Sequence, residues 1–590
     1  MKQRHHYLPV WLTAPFFFCL LCLSFTSQAR FLHFCDRFFV EEMEGNTLTM
    51  HYTLSDPENY GIHTASITLG SFDKDLPKQQ RTLYLKRAYL KTIAKGELSS
   101  DLQRLYDCIK YHLKTETDGL KYHLLEEPLV PSIGIQSQLP ILFAEYTFKT
   151  EADVINYLTL LSCVPEYFQS LLTFENSKIE EGLFMDPATA KELIGYCEEF
   201  LSSQKTHFLT DTFKNRLSLL NLTSEKNSYY MEENQRILDT CVFPSYEQLK
   251  VFLMKNQNEG QTTDGLFYHP NGSDYYAWLL RSEIGCEKSF EEIEQMLEQA
   301  LKKDARIIAS VTKNSRKLLA QRDQISFDIS NPAALTNYLK MRSKKDFPEI
   351  PEISLELQNV PASMESHLSP AFYLVPAIDC WDENIVYLNQ GYLTDEISLF
   401  TTLAHETYPG HLYQTVYENS THPHPLSRLL YFGGFTEGWG TYAEQMSYCY
   451  APISEDMATL LSTTRAMTLN IYAHLDLYIH AYGWTETDCM DYLKKFGITQ
   501  PEAVHKMFLL AKQQPANYLK YYLGYLEICS LKERAIDCLG SDFDLKEFHE
   551  FILNFGPAPF EFLDRSLNLW LKGKNQTVGA DSLVSVCAYI

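Results

Sequence analysis

The stretch SLFTTLAHETYPGH, residues 398–411, decides how this chain folds around its chemistry. An apolar run leads into His405, and a second histidine, His411, follows six positions later. On a regular helix that spacing turns the two imidazoles about 120° apart, so they could not share one ion. Pro409 cannot continue the helical hydrogen-bond ladder, and Gly410 can adopt the angles of a sharp bend. The sequence therefore predicts a helix ending just before the proline, a kink, and a second helix that returns the later histidine to the first.

A second segment, FTEGWGTYAEQM at residues 435–446, carries the carboxylates that such a site needs. It is similar to the segment from which aminopeptidase-like zinc enzymes take a glutamate ligand. Glu437 and Glu444 are seven residues apart, so both lie on one face of a helix. One can bind zinc while the other accepts a hydrogen bond from a ligand histidine. We expect Glu437 to complete the metal site with His405 and His411 and Glu444 to stand behind it; the reverse assignment stays open.

Glu406 follows the first histidine directly, as a general base should in a site for metal-assisted amide hydrolysis. Zinc with three protein ligands keeps one position for water and lowers the pKa of that water towards about 7. Glu406 would accept the water's proton and pass it to the leaving amine. The pattern thus predicts a zinc-dependent peptidase.

Four segments together resemble the bacterial domain-of-unknown-function family 885: HETYPGH, EGWGTYAEQM, QPANYLKYYLGYLEI and FDLKEFHEFIL. The resemblance extends from just after residue 29 to about Leu571. In the first half, the segment YYAWLLR at 275–281 matches the family most clearly. It implies a gluzincin-like zinc peptidase, in which a glutamate is the third ligand. The implied fold is mainly α-helical and zincin-like, with a small β element beside the metal.

The resemblance also suggests further site residues. It places Tyr521 on the family's tyrosine, and we expect this phenol to donate to the oxyanion, with Tyr522 and Tyr525 as alternatives. His549 lies in the F-H-D-like helix, where it either supports the site or is a satisfied core histidine. Residues 516–517 are Ala-Asn where the family has Gly-Gln. This difference leaves the orientation of the Tyr521 side chain open.

Composition limits the classes of partner. The 590 residues are 45% hydrophobic and carry a formal net charge of −24. Such an acidic surface repels phosphate backbones, so nucleic acid is not expected as a partner. Of the 14 cysteines, those after residue 29 contain no C-x-x-C pair, which excludes a thiolate zinc site.

Residues 1–29 have the pattern of an export signal. Lys2 and Arg4 precede the apolar run 8–25, and Ser-Gln-Ala at 27–29 offers small residues for cleavage. The alternative is an uncleaved N-terminal anchor, because the run borders on the length of a membrane span. We expect an exported bacterial protein, extracellular or at the cell surface, that contacts the membrane only if this segment is retained.

The remaining chain is helical in pattern. Ser289 and Glu292 form a capping box that opens a helix through about Lys313. The best strand candidate is 371–389, with a turn near Asp382-Glu383, at the place where many zinc peptidases keep an edge strand for substrate. We expect a helical N-terminal part at 30–259 and a catalytic part at 260–590, or one continuous domain at 30–575.

The predicted function is hydrolysis of peptide bonds, in short peptides if the N-terminal part closes over the cleft. Two alternatives stay open: a catalytically silent exported protein that binds peptides on a zincin fold, and a metal hydrolase of non-peptide amides or esters. The sequence does not distinguish exopeptidase from endopeptidase action, and it gives no oligomeric state.

Overall fold

The computed structural model describes residues 26–578 except 64, 132, 203, 205–206, 261–263, 315–317, 319–324, 328–330, 361–369, 394 and 422–423. The apolar run of the predicted export signal lies outside the described residues. Within the described part, no helix is long and apolar enough to cross a membrane.

The first half of the chain is helical throughout. Its α-helices are α1 Ser27–Glu44, α2 Thr47–Thr53, α3 Leu76–Leu90, α4 Ser100–Gly119, α5 Ile135–Glu145, α6 Glu151–Glu180, α7 Pro187–Ser202, α8 Phe208–Leu217, α9 Ser224–Ile237, α10 Phe243–Asn256, α11 Gly272–Leu279, α12 Phe290–Asn314 and α13 Pro332–Ser343. The predicted capping box opens α12: the Glu292 amide donates to Ser289 Oγ at 3.2 Å, and the Ser289 amide donates to the Glu292 carboxylate at 2.8 Å.

A small sheet follows, built from β1 Ser354–Asn359, β2 Ala371–Leu374 and β3 Glu383–Leu388. The spatial order is β1-β3-β2, with β3 parallel to β1 and antiparallel to β2. The extended segment predicted at 371–389 therefore exists as two strands and a turn. The sequence did not predict β1. The strand β2 lies at an edge of the sheet, next to the helix that carries Glu406.

The second half is helical again after the sheet. Its α-helices are α14 Glu396–Glu406, α15 His411–Thr421, α16 Gly433–Ser447, α17 Glu455–Tyr482, α18 Glu486–Leu493, α19 Pro501–Gln513, α20 Asn517–Leu539, α21 Leu545–Phe555 and α22 Phe560–Val578. The predicted mainly α class with a small β element is confirmed.

Two large apolar cores organise these helices. The larger joins buried side chains from residues 31–122 with those from 275–571. The second is formed mainly by residues 129–253. The first helices of the chain thus pack with the half that carries the site. The boundary at 259/260 stays a prediction.

Helices α16 and α20 approach each other through glycines. A β-carbon at Gly524 would lie 2.0 Å from the carbonyl oxygen of Gly434, and one at Gly438 would lie 2.5 Å from the carbonyl carbon of Gly524. Any side chain at these positions would force the two backbones apart. The glycines therefore set the spacing between the helix of Glu437 and the helix of Tyr521.

Candidate metal centre

The predicted break between the two histidines is present. Helix α14 ends at Glu406, the Tyr408–Pro409 peptide bond is cis, and α15 begins at His411. A β-carbon at Gly410 would lie 1.8 Å from the carbonyl oxygen of His405, so this position admits only glycine. The Trp439 indole donates to the Pro409 carbonyl at 2.9 Å, which ties the kink to α16.

The kink brings both imidazoles to Glu437. His405 Nε2 lies 3.7 Å from Glu437 Oε2, and His411 Nε2 lies 3.4 Å from the same oxygen. One ligand atom from each of the three residues lies within 4.8 Å of the other two. Tetrahedral zinc at about 2.0–2.1 Å from its ligands spaces them about 3.3 Å apart. The donor set therefore fits a zinc ion in both chemistry and spacing.

Gly440 leaves the space in which the rings lie. A β-carbon there would stand 2.8 Å from His405 Cε1, 2.9 Å from His405 Nε2 and 2.9 Å from His411 Cε1. The imidazoles thus pack directly on the backbone of α16, one turn after the Glu437 carboxylate. Sequence reasoning missed this residue, because a glycine inside a helix gives no sign of what approaches it.

Behind the histidines, Glu444 occupies the place expected of a supporting carboxylate. Its Oε2 lies 3.6 Å from His405 Nδ1, the ring nitrogen that faces away from Glu437. Arg465 on α17 holds Glu444 in turn, with Nε 2.6 Å from Oε1. This order favours Glu437 over Glu444 as the ligand. Arg465 was not predicted, and no local pattern marks it.

Charge couples these groups strongly. Burial alone would lower the pKa of His405, but the carboxylates of Glu437 and Glu444 raise it to about 10. Burial opposes ionisation of Glu437, yet contact with the two histidines holds its pKa well below the ordinary value. The site concentrates negative charge around the imidazoles, which favours a bound cation.

Glu406 faces the same centre from the end of α14. Its Oε2 accepts a hydrogen bond from the Tyr373 amide of β2 at 2.9 Å. Burial raises the pKa of Glu406, an effect that the two histidines oppose. A carboxyl group with a raised pKa accepts a proton more readily at neutral pH. A backbone contact therefore joins the edge of β2 to Glu406, the residue expected to be the general base.

Of the three candidate tyrosines, the structure brings Tyr521 to the site. Its ring lies 27° from parallel to that of His405, with centroids 6.3 Å apart. The charge of Glu437, followed by burial, raises the pKa of Tyr521 well above its ordinary value, so the phenol stays a donor. The Tyr522 hydroxyl instead lies 3.2 Å from Asn470 Nδ2. Tyr525 lies near Cys529, and its ring packs on that of Tyr522 with centroids 5.8 Å apart.

A buried carboxylate fixes the start of α20. Asp476 accepts hydrogen bonds from the amides of Ala516 at 2.9 Å and Tyr518 at 3.0 Å, and from the Tyr276 hydroxyl at 2.8 Å. Ala516 has φ 66°, in the left-handed region that glycine adopts without strain. A positive φ at residue 516 explains why glycine suits this position in the family pattern. In this chain the residue is alanine, and the hydrogen bond from its amide to Asp476 holds it in that conformation.

His549 is fully satisfied away from the ligands. Its Nε2 lies 2.8 Å from the Tyr442 hydroxyl and its Nδ1 lies 2.6 Å from the Asp346 carbonyl. Burial lowers its pKa to about 3, and its ring stacks on Phe347. Because Tyr442 lies on α16, His549 braces the helix of Glu437, and both of its ring nitrogens bond to groups other than the histidines and glutamates of the site.

Comparisons with known proteins agree with this picture of the fold. The family model described as "Bacterial protein of unknown function (DUF885)" matches residues 72–567. A "putative lipoprotein" from Colwellia psychrerythraea is similar in structure, with TM-score 0.78, 19% identity and coverage of 93% of this chain and 100% of its own. A "putative lipoprotein of unknown function" from Shewanella oneidensis gives TM-score 0.62, 17% identity and coverage of 91% and 99%. No curated protein matches the sequence.

Proposed function

The chain belongs to the bacterial family of unknown function DUF885, and on that premise we propose that it is an exported, gluzincin-like zinc peptidase. The observation that carries the proposal is the meeting of His405, His411 and Glu437 within 4.8 Å, with Glu406 beside them. These are the ligand types and the base that metal-assisted hydrolysis requires. A zincin-like active site is part of the same proposal.

The three ligands would hold the ion, and the fourth position would be open to water or substrate. When bound, zinc would polarise the scissile carbonyl and lower the pKa of a coordinated water. Glu444 orients His405 through Nδ1 and so keeps Nε2 free as a ligand. Arg465 keeps Glu444 ionised, since its charge lowers the pKa of that carboxyl.

The chain's own groups then handle the protons. Glu406 accepts a proton from the attacking water and delivers it to the amine that leaves. The Tyr373 amide holds one carboxylate oxygen of Glu406 and leaves the other for this exchange. Tyr521 donates its phenol hydrogen to the oxyanion that forms as the carbonyl carbon becomes tetrahedral.

The edge strand offers a place for an extended substrate. The Tyr373 amide points to Glu406, away from the neighbouring strand β3, so this edge of β2 faces the metal centre. A peptide that adds to this edge would gain backbone hydrogen bonds beside the base. This arrangement favours a peptide over a small ester as substrate.

Export is proposed on two grounds. The N-terminal 29 residues have the pattern of a signal, and two proteins of similar fold carry lipoprotein names. Their names describe those proteins, and Cys22 of this chain is preceded by residues that match a lipoprotein cleavage site poorly. A soluble or anchored location outside the cytoplasm remains the expectation.

The deciding experiment combines metal content with a substrate panel. Wild type, Glu437→Ala and Glu406→Gln are purified and analysed for zinc, then assayed on peptides and simple esters with and without chelator. The proposal expects about one zinc per chain, loss of zinc in Glu437→Ala, and retained zinc without turnover in Glu406→Gln.

Other outcomes identify the alternatives. Zinc with peptide binding but no turnover in wild type would indicate a silent peptide-binding protein. Turnover of esters without peptides would indicate a non-peptide hydrolase. A wild type that neither carries nor takes up zinc would refute the metal centre.

A further inference from the structure

A cleft opens between the two apolar cores, and its lining includes Lys520, the residue before Tyr521 in the chain. Its volume is about 280 Å³. One wall comes from residues 125–189 and the other from segments 264–283 and 480–520. The second wall includes Asn517 and Lys520, in the first turn of α20, the helix that carries Tyr521. A cleft so placed can receive the part of a substrate that extends beyond the reacting bond.

The lysines of the cleft differ in their partners. Lys178 Nζ lies 2.5 Å from the Glu127 carboxylate, and Lys512 Nζ lies 2.8 Å from that of Asp186. Each of these charges is therefore compensated within the protein. Lys520 also lines the cleft, and no carboxylate of the described residues forms an ion pair with it. In this cleft, Lys520 is thus the ammonium left for a ligand.

Two further carboxylates, Asp264 and Glu283, line the same cleft. Of these two carboxylates, Glu283 interacts electrostatically with Lys520. Burial raises the pKa of Glu283, while Lys520 lowers it, and burial dominates. Neither of these carboxylates forms an ion pair with Lys520, so its ammonium has no direct carboxylate contact among the described residues, although the chain as a whole is strongly acidic.

The side chain of Lys520 packs against the start of α16, the helix that carries Glu437. A β-carbon at Gly433 would stand 2.6 Å from Lys520 Cδ and 2.8 Å from the Tyr431 hydroxyl, so this glycine makes room for the lysine stem. Lys520 Nζ lies 6.0 Å from the centre of the Tyr431 ring. Gly433 begins α16, one turn before the ligand Glu437. The stem of Lys520, on α20, therefore lies against the first turn of α16, one turn before Glu437.

We propose that Lys520 binds the free C-terminal carboxylate of a short peptide, so that the enzyme removes residues from the C-terminal end. The inference rests on the proposed peptidase function and adds its substrate class. Lys520 and Tyr521 are neighbours in the chain, so their side-chain tips are separated by at most about 17 Å, the length of about five extended residues. The C-terminal product would therefore be small.

The test compares short alanine-rich peptides that differ only in a free or an amidated C-terminus. Wild type should cleave the free acid with kcat/KM at least about tenfold higher, since a charged hydrogen bond contributes about 1.5–3 kcal/mol. Lys520→Met should remove this preference by raising KM for the free-acid peptide, while kcat/KM for the amidated peptide stays unchanged. Lys520→Arg, which keeps the positive charge, should retain part of the preference for the free acid. Lys303→Met, which removes a lysine paired with Glu533 on an exposed surface, is the matched control and should keep the preference.

Three results would overturn the inference: equal cleavage of acid and amide by wild type, an equal loss for both peptides in Lys520→Met, or the same change in Lys303→Met. The peptidase proposal survives each of these. If no peptide is cleaved, calorimetric binding of the same pair decides separately. Tighter binding of the acid that disappears in Lys520→Met supports the carboxylate site, and equal binding refutes it.

Discussion

Substitution of Gly440 by alanine tests the metal centre at its tightest contact. The new β-carbon would meet three ring atoms of His405 and His411 at 2.8–2.9 Å, where ordinary contacts are 3.4 Å or longer. Each ring must therefore move by about half an ångström or turn. The movement affects both nitrogens that we assign to the ion and leaves the Glu437 carboxylate in place.

The expected magnitude follows from the cost of such overpacking. Inserted methyl groups in close-packed sites cost about 1–3 kcal/mol, which corresponds to a roughly 5- to 150-fold loss of zinc affinity. The folded chain without metal should lose less, because alanine gains about 1 kcal/mol over glycine in a helix interior. The defect should thus be concentrated in zinc binding.

The assay is zinc affinity measured by competition with a chelator of known strength, beside thermal unfolding of the metal-free protein. Gly195→Ala, in the middle of α7, is the matched control, since a β-carbon there has no atom within 4 Å. It should leave zinc affinity unchanged. Zinc binding by Gly440→Ala within about twofold of wild type, a difference of less than about 0.5 kcal/mol, would refute the geometry described for the site.

The remaining predictions concern the ligand, the oxyanion donor and the support of α20. Zinc at about 100 times its Kd should raise the unfolding free energy of wild type by about 2.7 kcal/mol; Glu437→Ala should lose most of this gain in thermal unfolding, and an equal gain would contradict the ligand assignment. Tyr521→Phe should lower kcat by about 100-fold with little change in KM, whereas Tyr525→Phe should not; similar kinetics for the two variants would remove Tyr521 from the mechanism. Burial raises the pKa of Asp476 from 3.8 to about 7, so its contribution to stability is present below pH 3.8 and is lost as pH rises to about 7. Denaturant unfolding at several pH values should show that the unfolding free energy of Asp476→Asn depends less on pH than that of wild type. The same pH dependence in both proteins would argue against the titration of Asp476. Ala516→Gly relieves a left-handed alanine that costs about 1 kcal/mol, offset by about 0.4–1 kcal/mol of entropy in the unfolded chain, so its unfolding free energy should equal that of wild type or exceed it slightly; a loss of 1 kcal/mol or more would contradict the strain.

Local chemistry explains what could be predicted from the sequence. The kink before His411 follows from a proline and a glycine that leave few backbone choices. The shared face of Glu437 and Glu444 follows from helical periodicity alone. The turn within 371–389 is similarly local. Each of these features depends on residues close together in the chain.

The parts that were missed depend on distant segments. The strand β1 reads SLELQN, without a strong apolar pattern, and it pairs in parallel with β3 only through the tertiary fold. Arg465 reaches Glu444 from another helix. The cleft that Lys520 lines is formed by segments from both cores, which lie far apart in the chain. No periodicity in one segment can report such contacts.

The glycine contact between α16 and α20 also bears on when the protein can become active. During synthesis His405 and Glu437 leave the ribosome well before Tyr521, and the two sets are joined only when Gly438 meets Gly524. A nascent or truncated chain that stops before α20 has the metal ligands without the oxyanion donor and without Lys520. Under the proposed function, the fold itself delays hydrolysis until synthesis is nearly complete, which would protect the cell that makes the enzyme.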